Sequence, residues 1–152
     1  MSELKLSIEL VPRPLWGRDL AKLMPRKEWD RLRNQVYEQY NHRCGICGAG
    51  GKMICHEMWH YDDVNYIQRL RGFIAICDLC NLCKHLGRSI NLSRQGKLDI
   101  EAVTRHFCSV NGISRTAFFT MVTEIFHQWR ERNEHEWTQD FGEYSGLVRQ
   151  ER

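Results

Sequence analysis

ICDLCNLCKHLGR, residues 76–88, places Cys77, Cys80 and Cys83 at intervals of three and follows them closely with Asn81, Lys84 and His85. The stretch is either one half of a structural metal clamp or a clamp whose trailing segment also does chemistry. Upstream, CGICG (44–48) supplies a second pair, Cys44 and Cys47, and ICHEMWHYDD (54–63) supplies histidines between the two pairs. Two CxxC pairs separated by twenty-nine residues give the four soft ligands that tetrahedral zinc takes in a closed, structural site. Gly45 and Gly48 let the backbone curl around the first pair of sulfurs. Cys83 in place of Cys80 makes an unusual knuckle, so Cys83 reads as a small buried hydrophobe, and Cys108 reads as core.

Bulk properties narrow the setting. A chain of 152 residues with 42% hydrophobic content can bury one core, so a single domain over 1–152 is expected. Its parts are a zinc-bound core over 43–88, an N-terminal helical segment over 15–42, and C-terminal helices and tail over 97–152. The apolar runs are short, and MSELKLSIEL lacks a signal-peptide pattern, so no membrane association and a cytoplasmic location are expected. Seven cysteines in a reducing compartment point to metal rather than to disulfides. The formal charge of +3 permits nucleic-acid binding. Between His42 and Lys97 eight Lys/Arg face four acids, whereas from Glu124 onward seven acids face four arginines. The cysteine-rich middle is therefore where a phosphate backbone belongs, with Arg69, Arg71, Lys84 and Arg88 as its contacts.

Local patterns set the expected elements. LKLSIELV alternates and reads as a half-buried strand broken by PRP. Pro25 starts a helix to about Asn41 that buries Trp29, Leu32, Val36, Tyr37 and Tyr40. KMICHEMWHY and NYIQRLRGFIAI read as a hairpin turning at DD, followed by a short helix capped at Gly87. Asp99 caps one further helix ending at Asn111-Gly112, and another runs from Ser114. WTQDFGEYSG reads as an extended strand or an arm.

Period two puts His56, Met58 and His60 on one face of the first hairpin strand, while Asn81 and His85 share a helix face. If a zinc ion pins that helix to the hairpin, the two faces converge. A histidine facing an oxygen or nitrogen metal ligand is what a metal-dependent phosphodiesterase requires.

On these residues the chain resembles the HNH, or ββα-metal, nucleases, in particular the zinc-containing kind related to recombination endonuclease VII. The resemblance is carried by the two CxxC pairs, CHE with His56, RGFIAIC before the second pair, and Asn81 directly after its last cysteine. LWGRDLAKLMPRKEWDRLRNQVYEQYNHRCGICG, CHEMWHYDD and LCKHLGR are also similar to small bacterial and phage HNH endonucleases. The resemblance implies an α+β fold with a zinc-pinned ββα-metal core and flanking helices. It further implies His56 as general base, Cys44, Cys47, Cys77 and Cys80 as zinc ligands, and catalytic Mg²⁺ or Mn²⁺ at Asn81 stabilising the departing oxygen of cut DNA. His85 joins the catalytic set, and His60 is a further candidate ligand for that metal.

Two positions depart from the family pattern. Cys55 stands where relatives place an aspartate or histidine ligand, and a thiolate suits hard Mg²⁺ poorly. Gly72 stands where the central asparagine is expected. His60, His85, Glu57 and Asp62 are the residues available to compensate. The same departures fit a catalytically inactive zinc-binding module that grips nucleic acid or a protein, and the acidic C-terminal part offers a surface for a protein partner.

Overall fold

The computed structural model describes residues 3–148, so the extreme ends of the expected 1–152 unit lie outside the described residues. The chain is α+β, with a small three-stranded sheet, packed helices and a cluster of four cysteines. In order come α1 (Leu20–Leu23), α2 (Arg26–Gln39), β1 (Ile54–Asp62), β2 (Ile67–Ile76), α3 (Asp78–Lys84), α4 (Leu86–Arg94), α5 (Ile100–Asn111), α6 (Arg115–Arg132) and β3 (Thr138–Asp140). Single 3-10 turns lie at Arg13–Leu15 and Gly142–Leu147.

β1 and β2 form the expected antiparallel hairpin, from Ile54 opposite Ile76 to Asp62 opposite Ile67. Asp62 closes its turn: the carboxylate accepts the Val64 and Asn65 backbone N–H groups and the Asn65 side chain. The register slips once, with Met58 opposite Gly72 and Trp59 opposite Leu70, so Arg71 is the extra residue of a bulge. Gly72 adopts φ +147°, a backbone state that side chains resist. The position where the family pattern expects asparagine is thus a glycine required by the bulge.

β3 adds to β2 in parallel, starting with Thr138 opposite Ile67, so the tail is folded back rather than free. Trp137 anchors it: the indole is buried, meets the edge of Tyr61 with ring centroids 5.9 Å apart, and donates to the Arg132 carbonyl.

Leu6, Leu20, Met24, Ile76, Cys80, Val103 and Phe107 are fully buried and join α1, the hairpin, α3 and α5 into one core. α2 closes one side of it through Val36, which is buried, and Trp29, whose ring meets Phe73 edge-on. Asp99 caps α5 as expected, accepting from the Glu101 N–H, and Ser114, where the next helix was expected to start, caps α6 by accepting from the Ala117 N–H.

Two expectations fail. LKLSIELV is not a strand, because its backbone groups are taken by partners outside the sheet. Leu6 instead exchanges both backbone groups with the Asn111 side chain, and Glu9 donates to the Lys84 carbonyl. Gly87 does not cap the helix after the second cysteine pair. That helix bends at His85 and resumes as α4, with Ser89 Oγ donating to the Leu82 carbonyl across the bend. Gly87 instead leaves room for the N-terminal segment: a Cβ there would lie 3.5 Å from Leu10. Among the described residues, no helix is long and apolar enough to cross a membrane.

Candidate functional site

The four cysteines meet where the loop after α2 crosses the start of α3. Cys44 Sγ lies 3.7 Å from Cys80 Sγ, Cys47 Sγ lies 3.6 Å from Cys77 Sγ, and all four sulfurs fall within 4.8 Å of one another. Zn–S bonds of about 2.3 Å in a tetrahedron separate sulfurs by roughly 3.8 Å. The set is therefore spaced to hold a metal ion such as zinc. Each pair is a true knuckle, since the Ile46 and Cys47 N–H groups point at Cys44 Sγ and the Cys80 N–H at Cys77 Sγ.

Burial works against ionising Cys44, yet the donors around it, from Cys47, Cys77 and Ile46, bring its thiol down to about 7. Burial, and then the neighbouring thiols, push Cys80 up. A bound cation reverses that balance by favouring thiolate. His106, on α5, sits with Nε2 3.2 Å from Cys80 Sγ. It is half-buried and flanks the stripe of Val103 and Phe107, and a histidine beside those apolar residues was the available sequence signal.

α3 carries a second face. Cys83 is buried, and its Sγ donates to the Val103 carbonyl of α5. Asn81 and His85 line a cleft of about 1080 Å³ on the other side, and His56 of β1 lines the same cleft. The cysteine pair, the buried Cys83 and the Asn81/His85 face thus lie on separate sides of this helix.

His56 is 7% exposed, its ring centroid is 5.1 Å from that of His85, and its Nε2 stands 3.8 Å from Glu9 Oε2. Its Nδ1 is buried with no hydrogen-bond partner among the described residues. Burial, then His85 and Lys84, push this imidazole down to about 3, so it is neutral in the free protein.

Glu9 is the functional candidate that sequence reading missed. The alternating pattern placed it on a solvent-facing side, whereas the segment actually plugs into the cleft. Its Oε1 accepts from Tyr61 Oη at 2.7 Å, and Gln68, Gln139 and Arg18 continue that hydrogen-bonded chain across the sheet. Burial raises the Glu9 carboxyl, against the opposing pull of Tyr61, Lys84 and Arg132.

The remaining expected site residues divide. His60 is exposed and lies outside the cleft. Arg69 is held by Asp62 at 2.9 Å and Asp140 at 3.7 Å, and Arg71 is exposed at the bulge. Lys84 ties down the N-terminal segment through Ser7 Oγ. Of the four expected phosphate contacts, Arg88 alone lines the cleft.

Glu57 does not compensate for Cys55 as a free ligand. Its two oxygens accept from the Leu20 N–H and from Trp59 Nε1, and burial pushes it up to about 7. Asp62 is committed to the hairpin turn. The Cys55 thiol, pushed up to about 12 by burial, stays protonated.

No family model, curated protein or solved structure matches the chain.

Proposed function

We propose that the protein is a metal-dependent DNA endonuclease of HNH type, with zinc at the four cysteines holding the hairpin against α3. The observation that carries this reading is the convergence of His56 from β1 with Asn81 and His85 from α3 in one cleft beside the cysteine cluster.

The donors fit a hard or borderline divalent cation: the Asn81 carboxamide oxygen and the His85 imidazole are the residues that would hold Mg²⁺ or Mn²⁺, while protonated Cys55 would not. When bound, such a cation stabilises negative charge on the leaving oxygen. His56, neutral because it is buried, accepts the proton of the attacking water. A base held this low is weak by itself. A phosphate in the cleft supplies negative charge that favours the protonated ring, and the Glu9 carboxyl group, 3.8 Å away, can ionise against it. Arg88 contacts the backbone from the rim.

The test is cleavage of plasmid and branched DNA under Mg²⁺, Mn²⁺ and EDTA. Metal-dependent nicking that disappears in His56→Ala, with zinc content intact, is the expected result. Absence of cleavage under all conditions would favour the second reading, an inactive zinc module. Cys55, which cannot replace a hard ligand, is the observation on its side.

A further inference from the structure

The cleft that holds His56 and Asn81 also carries an aromatic shelf that the proposed chemistry leaves unused. Trp16 and Trp129 form it, with ring centroids 6.4 Å apart and planes 18° from parallel. Both indoles donate to one acceptor, the Val11 carbonyl, at 2.8 and 3.0 Å. The Arg13 guanidinium lies over Trp129, 4.9 Å from its ring centroid. Trp16 is thus fixed in orientation while remaining 60% exposed. A rigid, open indole is a poor contribution to folding and a good surface for a flat partner. Cations rim the same cleft: Arg88 and Arg94, both exposed, from α4, and Lys22 from α1.

A flat apolar shelf bordered by cations, in the same cleft as the proposed phosphodiester site, matches a nucleotide whose base stacks on the shelf while its phosphates meet the rim. In an intact duplex the base faces are covered by their neighbours, so a duplex cannot use Trp16. A base that is unpaired or splayed out can. Resting on the endonuclease reading, we infer that the substrate is DNA carrying an unpaired base beside the scissile phosphate, in a single strand or flap, and that Trp16 selects it by stacking.

The experiment measures binding in EDTA, where cutting is suppressed, of one sequence as single strand, flapped duplex and blunt duplex. The wild type, Trp16→Ala and Trp16→Phe are compared, and metal-dependent plasmid cleavage is assayed in parallel. The wild type is expected to prefer the single strand and the flap, with quenching of its indole fluorescence. Trp16→Ala should weaken those two by roughly 5- to 150-fold while changing duplex binding by less than about twofold. Trp16→Phe, which keeps a ring, should retain most of the preference. Should Trp16→Ala melt early, Trp16→Phe and the wild-type quenching decide.

Equal losses on all three DNAs, no loss on any, or a wild-type preference for blunt duplex would overturn the inference. If plasmid is still cut in those cases, the endonuclease reading survives. Failure to bind or cut any DNA removes both.

Discussion

Gly45 sits inside the first CxxC pair without a positive φ, so backbone freedom does not explain it, whereas Gly48 at φ +80° does need that freedom. Space explains Gly45. A Cβ there would fall 2.7 and 2.9 Å from two carbons of the Tyr40 ring and 2.9 Å from Ile74 Cγ1. The backbone cannot retreat easily, because the Gly45 N–H is bonded to the Ala75 carbonyl at 2.8 Å and its neighbours aim their N–H groups at Cys44 Sγ.

Two effects of Gly45→Ala therefore compete. Restricting the unfolded chain favours alanine by about 0.4–1 kcal/mol. Overpacking against a ring and a β-branched side chain costs about 1–3 kcal/mol. The clash wins, for a net loss of about 1–2 kcal/mol, or a melting temperature lower by roughly 3–8 °C for a chain of this size.

Urea unfolding with zinc in excess measures the change, with Gly50→Ala as the control. A Cβ at Gly50 would meet only Arg43 Nη1, at 3.8 Å, so that variant should be neutral or slightly more stable. Zinc should also leave Gly45→Ala faster under a competing chelator, since the knuckle must open to relieve the contact. A Gly45→Ala protein as stable as the wild type would refute the steric argument and return Gly45 to an ordinary loop position.

Cys77→Ser should lose zinc by elemental analysis and unfold at markedly lower urea, because metal binding and folding are linked in such sites. Cys83→Ala should keep its zinc and lose only about 1–2 kcal/mol, the scale of a small buried side chain and one weak hydrogen bond to Val103; zinc release from this variant would mean the clamp has been misassigned. On the endonuclease reading, Glu9→Gln, compared with wild type by kcat on plasmid, should cut more slowly with little change in KM, because a carboxyl group, unlike an amide, can ionise beside a protonated His56. Equal kcat would remove Glu9 from the mechanism. Glu57, pushed up to about 7 when folded, keeps its proton to higher pH than the unfolded chain does, so its contribution to stability is fully present below about pH 4.5 and declines as pH rises to about 7. The decline, up to roughly 3 kcal/mol, should shrink in Glu57→Gln when unfolding free energy is measured across that window.

The cysteine cluster was legible from spacing alone, because two CxxC pairs need only a short range of backbone shapes to present four sulfurs to one point. The hairpin, its turn at Asp62, the α5 and α6 caps and the two faces of α3 were legible for the same reason: each is a short-range pattern of side-chain period, cap or turn. What lay outside the sequence was decided by partners distant in the chain. LKLSIELV has a strand's alternation, but a strand exists only where another edge accepts its hydrogen bonds, and here Asn111, 105 residues away from Leu6, takes them instead. Glu9 came to face His56 through that same displacement, and Arg69 and Lys84 were placed away from a common site by ion pairing and by anchoring to Ser7. Trp16 and Trp129 are separated by most of the chain and meet where one carbonyl, that of Val11, accepts from both. Local chemistry is written in neighbours, and convergence from afar depends on how the whole chain satisfies its buried polar groups.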